Sequence, residues 1–340
     1  MSLTVIKFVA GGGKTTESKR LITSNKNCIY LAFNNKVVDE VSNEGFLSKT
    51  IDSLFVSYII PKLIDLIPLI SHGSKIEYVS SENIPAYLKG VSNIKIKSDG
   101  FLYNKTHKTS FELGLENIEL HQMNGLPNLN FIKYIFGKDK IVLTDQLRSD
   151  LCNYLLDNYA DKIKDIIEDR FNVLIIDESQ DLKGYHERFA KLLAESNVNL
   201  YLLGDDYQNI NGGGEWFENL EPHYYKNQSY RCPDDNCKWI RDNMRIDIYG
   251  VKSDGGVCTI NINQVNDFDD SRRTLLYQSA TANISEIINN WKGPKYTIKK
   301  SKGMTIDEDV VILGKTLNSK NMYTAITRTR KRVYLTAKLI

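Results

Sequence analysis

The 340-residue chain carries 44 Lys and Arg against 42 Asp and Glu, a formal charge of +2, so its overall charge advertises neither a polyanion nor a membrane surface as partner. Hydrophobic residues at 41% and charged residues at 25% exclude a disordered or fibrous chain, and the length exceeds one usual core, which predicts at least two domains. Five cysteines at scattered spacings exclude a disulfide framework and predict reduced thiols in a cytoplasmic setting, the cytosol of a bacterium or of a virus-infected cell.

Val5 to Ala10 predicts a short strand, and Gly11, Gly12, Gly13, Lys14, Thr15 and Thr16 then open a helix that runs through Ile22. Glycines at a strand-to-helix turn let backbone N–H groups converge on phosphate oxygens at the positive end of the helix. Lys14 is then expected to reach the terminal phosphates and Thr15 to ligate magnesium. The full pattern has another glycine five places before Gly13, where this chain has Phe8, so the segment alone also reads as a glycine turn before a helix. No cleavable signal precedes the first strand. The apolar stretch Leu54 to Ile70 is broken by Pro61, Lys62, Asp65 and Pro68, so no membrane span is expected.

Between residues 56 and 145, the runs Lys75 to Val79, Asn93 to Lys97, Gly100 to Asn104 and Thr109 to Leu113 alternate like strands, and Ser98, Asp99, Gly100 suits a hairpin turn. Leu147 to Ile167 shows apolar residues at helical spacing. Val173, Leu174, Ile175 and Ile176 then read as a fully buried strand ending in Asp177 and Glu178, where open α/β sheets place their ligands. Two adjacent carboxylates suit phosphoryl transfer: Asp177 to hold magnesium, Glu178 to polarise the attacking water. This second half favours the nucleotide reading of the glycine turn. Further on, Cys232 and Cys237, with His223 and Cys258, read either as buried thiols or as a zinc site.

With both halves in place, the chain resembles the UvrD/Rep family of superfamily 1 DNA helicases, whose motifs recur here in order. Asp177, Glu178, Ser179, Gln180, Asp181 is close to the family's form of the acidic motif. Ala32 to Val38 is similar to a segment that touches single-stranded DNA, which implies base contact by Phe33 and a neighbouring contact by Asn34. Thr50 to Leu54 is similar to the next, which implies that Thr50 and Ser53 hold the phosphodiester backbone. Leu202 to Gln208 resembles the strand whose glutamine senses the terminal phosphate, Ser229 to Arg231 and Tyr323 to Arg328 the motifs that bring arginines to the nucleotide. Leu276 to Asn283 resembles another strand and helix start, and Lys299 to Met304 a motif touching DNA and nucleotide, which implies Lys299 and Ser301 on DNA and Gly303 on ATP. Tyr207 is read as a core residue.

The resemblance implies an α/β fold with two RecA-like P-loop NTPase lobes built on parallel sheets. The first lobe would take residues 1–55 and 146–212, the second 213–340, and a small inserted subdomain with a β-hairpin would take 56–145, facing the DNA path or serving as a stabilising cap. Catalysis would fall to Glu178, Gln208, Arg231 and Arg328, with ATP on Gly11, Gly12, Gly13, Lys14, Thr15, Thr16 and Gly303, and Mg2+ on Thr15 and Asp177. Beside this stand plainer readings: Arg328 as part of a solvated basic face with Arg330, Lys331 and Arg332, Arg231 as a helix-start ion pair.

The chain also departs from the family. The family's adenine-reading glutamine lies ahead of its first strand, which begins here at about residue 3. Asn209, Ile210, Asn211, Gly212, Gly213 and Gly214 follow Gln208 where the family has base-stacking aromatics, and Trp216 is the candidate substitute. Thr305 stands in place of a ribose-holding glutamate and Lys299 in place of a DNA-facing histidine. Only about 70 residues separate Arg231 from Ser301, too few for the large second-lobe insertion of full-length relatives. The expected function is an ATP-driven helicase or translocase moving 3′ to 5′ on single-stranded DNA, monomeric, with a replication or repair protein as possible partner. A translocase without unwinding, an RNA helicase and an ATP-gated loader remain alternatives, because nothing in the residues reads a 2′-hydroxyl.

Overall fold

The structure, a computed structural model, describes residues 2–33, 35–43, 45–63, 66, 75–78, 94–96, 102–104, 109–111, 140–143 and 145–340. The chain forms two compact units. The first comprises Met1–Ser48, Phe171–Lys183 and Asn197–Ile340, the second Lys49–Arg170 and Gly184–Ser196.

Two parallel sheets build the first unit. One is six-stranded, in the order Tyr224–Lys226, Ser2–Phe8, Asn199–Gly204, Val173–Ile176, Cys28–Ala32, and an edge strand that starts at Ser48. The other is five-stranded, in the order Val257–Thr259, Val333–Leu335, Asp309–Leu313, Arg273–Tyr277, Lys295–Thr297. Leu174, Ile175, Ile29, Leu31, Leu200 and Leu202 of the first sheet have no exposed surface, as do Leu275, Leu276, Val310, Val311 and Ile312 of the second. Continuous apolar runs of this kind suit strands covered on both faces, which is the environment of a parallel sheet. The fold is α/β, with two RecA-like lobes.

Parallel register fixes where the chemistry can gather. Val5 pairs with Leu202, Leu202 with Ile176, and Ile176 with Leu31, so Val9, Asp177 and Asp205 all leave the sheet at its carboxyl edge. The first strand ends at Phe8, two residues before the sequence reading, because Val9 turns into the loop and its carbonyl accepts Gly12 N–H at 2.9 Å. Phe8 itself is buried in the sheet's core beside Leu21 and Tyr30. The ring standing where the full pattern has glycine therefore packs inward.

Tyr224–Lys226 pairs in parallel with the first strand, so the first sheet draws a strand from beyond residue 212, at which the sequence reading divides the lobes. Val9 and Ala10, from the phosphate loop, lie in the same hydrophobic cluster as Ile240, Leu276, Met322 and Tyr323 of the second lobe. The phosphate loop thus packs into the core of the second lobe. Cys232 and Cys237 are buried and Cys258 is exposed, while His223 Nδ1 accepts Val5 N–H at 3.1 Å; among the described residues no group of three metal-ligating side chains occurs. Among them, too, no helix is long and apolar enough to cross a membrane.

In the second unit, helical turns over Ile51–Leu63 include a wider i→i+5 stretch at Phe55–Ile59, next to Pro61, whose missing N–H and bulky ring disfavour a regular turn there. Phe55 packs edge-on against Tyr185 and Phe189 at 5.5 and 4.9 Å between ring centres. The helical spacing from Leu147 resolves into two helices, Asp145–Asn158 and Ala160–Glu168, broken at Tyr159. Ile94–Ile96, Leu102–Asn104 and Thr109–Phe111 form an antiparallel sheet, and Lys75–Tyr78 pairs with Lys140–Leu143. The expected turn at Ser98, Asp99 and Gly100 lies outside the described residues. Asp52 ties three helices together: its carboxylate meets Arg148 at 2.9 Å and His186 at 2.6 Å, and accepts the Tyr185 hydroxyl.

Candidate nucleotide site

The helix Lys14–Thr23 starts at Gly13, which is in the left-handed region at φ 88° and carries no side chain to cap the first turn. Its leading N–H groups therefore point out of the helix without side-chain partners, at the end favouring negative charge. Gly11, at φ 72°, has a second reason to lack a side chain: a Cβ there would meet Arg231 Cβ at 2.7 Å and Ser229 Oγ at 2.9 Å. The loop and the Ser229–Arg231 segment meet closely, with Tyr230 N–H on Gly11 O at 3.0 Å and Ser229 Oγ on Ala10 O at 2.6 Å. Thr15 and Thr16 are exposed.

From the acidic strand, Glu178 Oε1 faces Lys14 Nζ at 3.2 Å. Glu178 is a non-glycine residue at φ 53°, a backbone state that costs on the order of 1–3 kcal/mol and persists only where its surroundings dictate it. Here Asp177 Oδ1 accepts Glu178 N–H at 2.8 Å and Gln180 donates its amide to Glu178 Oε2. Asp177 is 3% exposed, and its other oxygen accepts the Tyr30 hydroxyl at 2.6 Å.

Burial alone would raise the Glu178 carboxyl, but Lys14, Lys302 and Gln180 outweigh it and hold it well below the usual carboxylate range. For Asp177 the balance is reversed: burial, then the adjacent Glu178 charge, push its carboxyl up against the pull of Lys14. Burial lowers Lys14, yet Glu178, Asp177 and Asp205 together raise it, so it stays charged.

The side facing the second sheet supplies cations. Arg328 is 1% exposed and donates to Gln208 Oε1 at 2.8 Å and to Thr324 O at 3.0 Å. Burial and the neighbouring Arg231 push its guanidinium down to about 9, still charged at neutral pH. The solvated-face reading of Arg328 is thereby corrected; Arg330, Lys331 and Arg332 are the exposed members of that run. Arg231 is half-buried, donates to Met304 O at 3.4 Å, and its Nε is enclosed with no hydrogen-bond partner. It makes no helix-start ion pair. Gln208 donates to Asp205 Oδ2 at 2.6 Å.

Lys302 lies in the segment Lys299 to Met304 and pairs with both oxygens of Asp181 at 2.7 and 2.6 Å. The sequence reading placed roles on its neighbours instead, and it missed the parts of Gln180, Asp205, Tyr30 and Tyr323 as well. Gln180, Asp205, Lys302 and Tyr323 all lie within the motif runs, so the signal was present without the partners. Gly303 is exposed at φ 82° beside this pair.

The residues expected on nucleic acid are less gathered. Phe33 and Trp216 are half-buried in the first unit, Lys299 is exposed on the short helix Ile298–Ser301, and Asn34 lies outside the described residues. Ser301 departs from expectation: it is fully buried and its hydroxyl donates to Ile298 O at 2.8 Å, because the helix turns that face inward. Thr50 and Ser53 belong to the second unit, where Thr50 Oγ1 caps its helix by accepting Ser53 N–H at 3.0 Å.

The arrangement fits a nucleoside triphosphate. A glycine turn opening a helix, the Lys14–Glu178 pair and an arginine with an unpartnered enclosed Nε, whose Cβ a side chain at Gly11 would meet at 2.7 Å, lie on adjoining segments. Thr15 and Asp177 offer the hard oxygen donors that magnesium prefers. Fold and site define a P-loop nucleotide-binding core with two RecA-like lobes. A protein-family model described as the viral superfamily 1 RNA helicase core domain matches residues 134–337, more than half of the chain. The chain belongs to that family.

Among solved structures, the arterivirus nonstructural protein 10 helicase is similar at TM-score 0.47 and 12% identity, over 98% of this chain and 59% of that one. The same arterivirus protein in complex with DNA gives 0.48 and 11%, over 98% and 60%. The PRRSV helicase gives 0.47 and 12%, over 98% and 52%. The chain thus spans between 52% and 60% of the length of the chains in these three structures. No curated protein matches it.

Proposed function

We propose that this chain is an ATP-driven motor that moves 3′ to 5′ along single-stranded DNA and separates strands. The observation that carries this reading is the pair of Lys14 and Glu178 from the first sheet, 3.2 Å apart and linked by hydrogen bonds through Gln180, Asp205 and Gln208 to Arg328 of the second lobe, with Arg231 close against Gly11 of the loop. Lys14, the loop glycines, Thr16 and Gly303 would bind the phosphates. Magnesium held by Thr15 and Asp177 would neutralise charge on them. Glu178, kept as a carboxylate by Lys14 and Lys302, would orient the attacking water and accept its proton. Gln208 would sense the terminal phosphate, and the two arginines would neutralise charge as it develops.

Phe33, Thr50, Ser53, Trp216 and Lys299 are the proposed strand contacts, to bases and backbone, so sequence preference should be weak and binding salt-dependent. The first lobe is proposed to run through Lys226, interrupted by the inserted subdomain, with the second lobe after it. Within the superfamily, the run Asp177 to Asp181 supports a UvrD/Rep-like affiliation. A monomer with a replication or repair partner completes the proposal. A second reading, movement on RNA, is supported by the family match, whose description is that of an RNA helicase core.

The test is the ATPase rate of the chain with and without single-stranded DNA or RNA, together with Lys14→Ala. Stimulation by DNA that vanishes in the variant supports the motor on DNA, stronger stimulation by RNA moves the substrate, and no ATPase under any condition ends the reading. A tailed-duplex displacement assay separates helicase from translocase or loader.

A further inference from the structure

Tyr323 is fully buried on the helix Ser319–Ile326, five residues ahead of Arg328, and its hydroxyl stands where three functional segments meet. It accepts Ala10 N–H at 2.8 Å and donates to Asp205 Oδ2 at 3.1 Å. Ala10 opens the phosphate loop. Asp205, also without exposed surface, accepts from Gln208 on the same oxygen at 2.6 Å, and Gln208 in turn accepts from Arg328 at 2.8 Å. On its other side Asp205 N–H donates to Gln180 Oε1 at 3.0 Å, and the Gln180 amide donates to Glu178.

A single chain of hydrogen bonds therefore runs from Lys14 through Glu178, Gln180, Asp205 and Gln208 to Arg328. Tyr323 is the point at which it is fastened to the backbone of the phosphate loop. Only a hydroxyl can do this at one atom, because it both donates and accepts. The ring that carries it is locked by the core shared between the lobes and packs on Tyr207 at 5.4 Å between centres.

We propose that Tyr323 is a positioning residue for hydrolysis: its hydroxyl holds Asp205, and through it Gln208 and Arg328, in register with the phosphate loop. Its hydroxyl is taken up by Ala10 and Asp205 and the side chain has no exposed surface, so it sets the efficiency of the chemical step more than nucleotide affinity. The inference rests on the motor reading above and extends it to a residue enclosed in the core.

Tyr323→Phe keeps the ring and removes only the hydroxyl. Its nucleic-acid-stimulated kcat is expected to fall by about 10- to 100-fold with the ATP KM changed less than about threefold, the pattern of a group acting only in the transition state. Asp205→Asn, made alone and combined with Tyr323→Phe, should lower kcat in the same way, and the double variant should lose much less than the product of the two single losses. Wild-type kcat in Tyr323→Phe, or independent multiplicative losses in the double variant, would overturn the inference while leaving the motor intact. Loss of activity in the wild type itself would instead remove the motor reading. Should Tyr323→Phe not fold, Asp205→Asn decides alone, and an unchanged kcat there is likewise fatal.

Discussion

Around Glu178 in the first unit, the cations facing carboxylates are Lys14 and Lys302, with Arg328 further along the network. Around Asp52 in the second unit the partners are Arg148, the His186 ring and the Tyr185 hydroxyl. The residue types are alike, yet the two clusters differ in the backbone that carries them. The first includes a backbone held at φ 53° in Glu178; the second ties the helix of Asp52 to two others. Charges placed for chemistry sit here on a strained backbone, whereas charges placed for architecture tie helices together.

The sharpest way to break that contrast is Arg328→Ala. If the first cluster serves hydrolysis, kcat should drop by about 10³- to 10⁵-fold while nucleotide affinity changes far less. A drop of only a few fold, measured alongside equilibrium binding of a fluorescent nucleotide, would move Arg328 to the architectural side. Asp52→Asn should behave oppositely. It removes the charge shared by Arg148 and His186, and is expected to destabilise the fold by about 1–3 kcal/mol, a melting shift of several degrees in calorimetry. An unchanged melting temperature would refute the architectural role.

The smallest effect is in acid. Burial by itself raises the Asp52 carboxyl, but His186, Tyr185 and Arg148 outweigh it and the net direction is down. A depressed folded-state value means that Asp52 contributes fully above the ordinary carboxylate range near about pH 4 and loses its contribution as pH falls through the lower folded value. Denaturant titrations from neutral pH down through about pH 3 should show a steeper loss in wild type than in Asp52→Asn, and parallel curves would contradict the linkage.

Much of the first cluster was legible because buried parallel strands are short apolar runs that stop abruptly: Val173 to Ile176 ends in the paired acids, and Asn199 to Gly204 delivers Asp205 and Gln208. The helix after Lys14 was equally plain. The strand Tyr224–Lys226 was not, because all three of its residues are exposed and no alternation betrays it. Ser301 was misread because a four-residue helix is too short to reveal which side faces in. The roles of Tyr323 and Lys302 come from partners 118 and 121 positions away, a distance no local pattern spans. The Asp52 cluster was hidden for the same reason, its partners lying on separate helices.

Val9 and Ala10, wedged among side chains of the second lobe, have a bearing on how this protein can be dissected. A fragment halted after Lys226 would strip the cover from that apolar pair and from the neighbouring loop, leaving a sticky patch beside the glycines. Such halves should clump when produced separately and recover only if co-expressed, so the pair of lobes is best regarded as one indivisible folding enterprise.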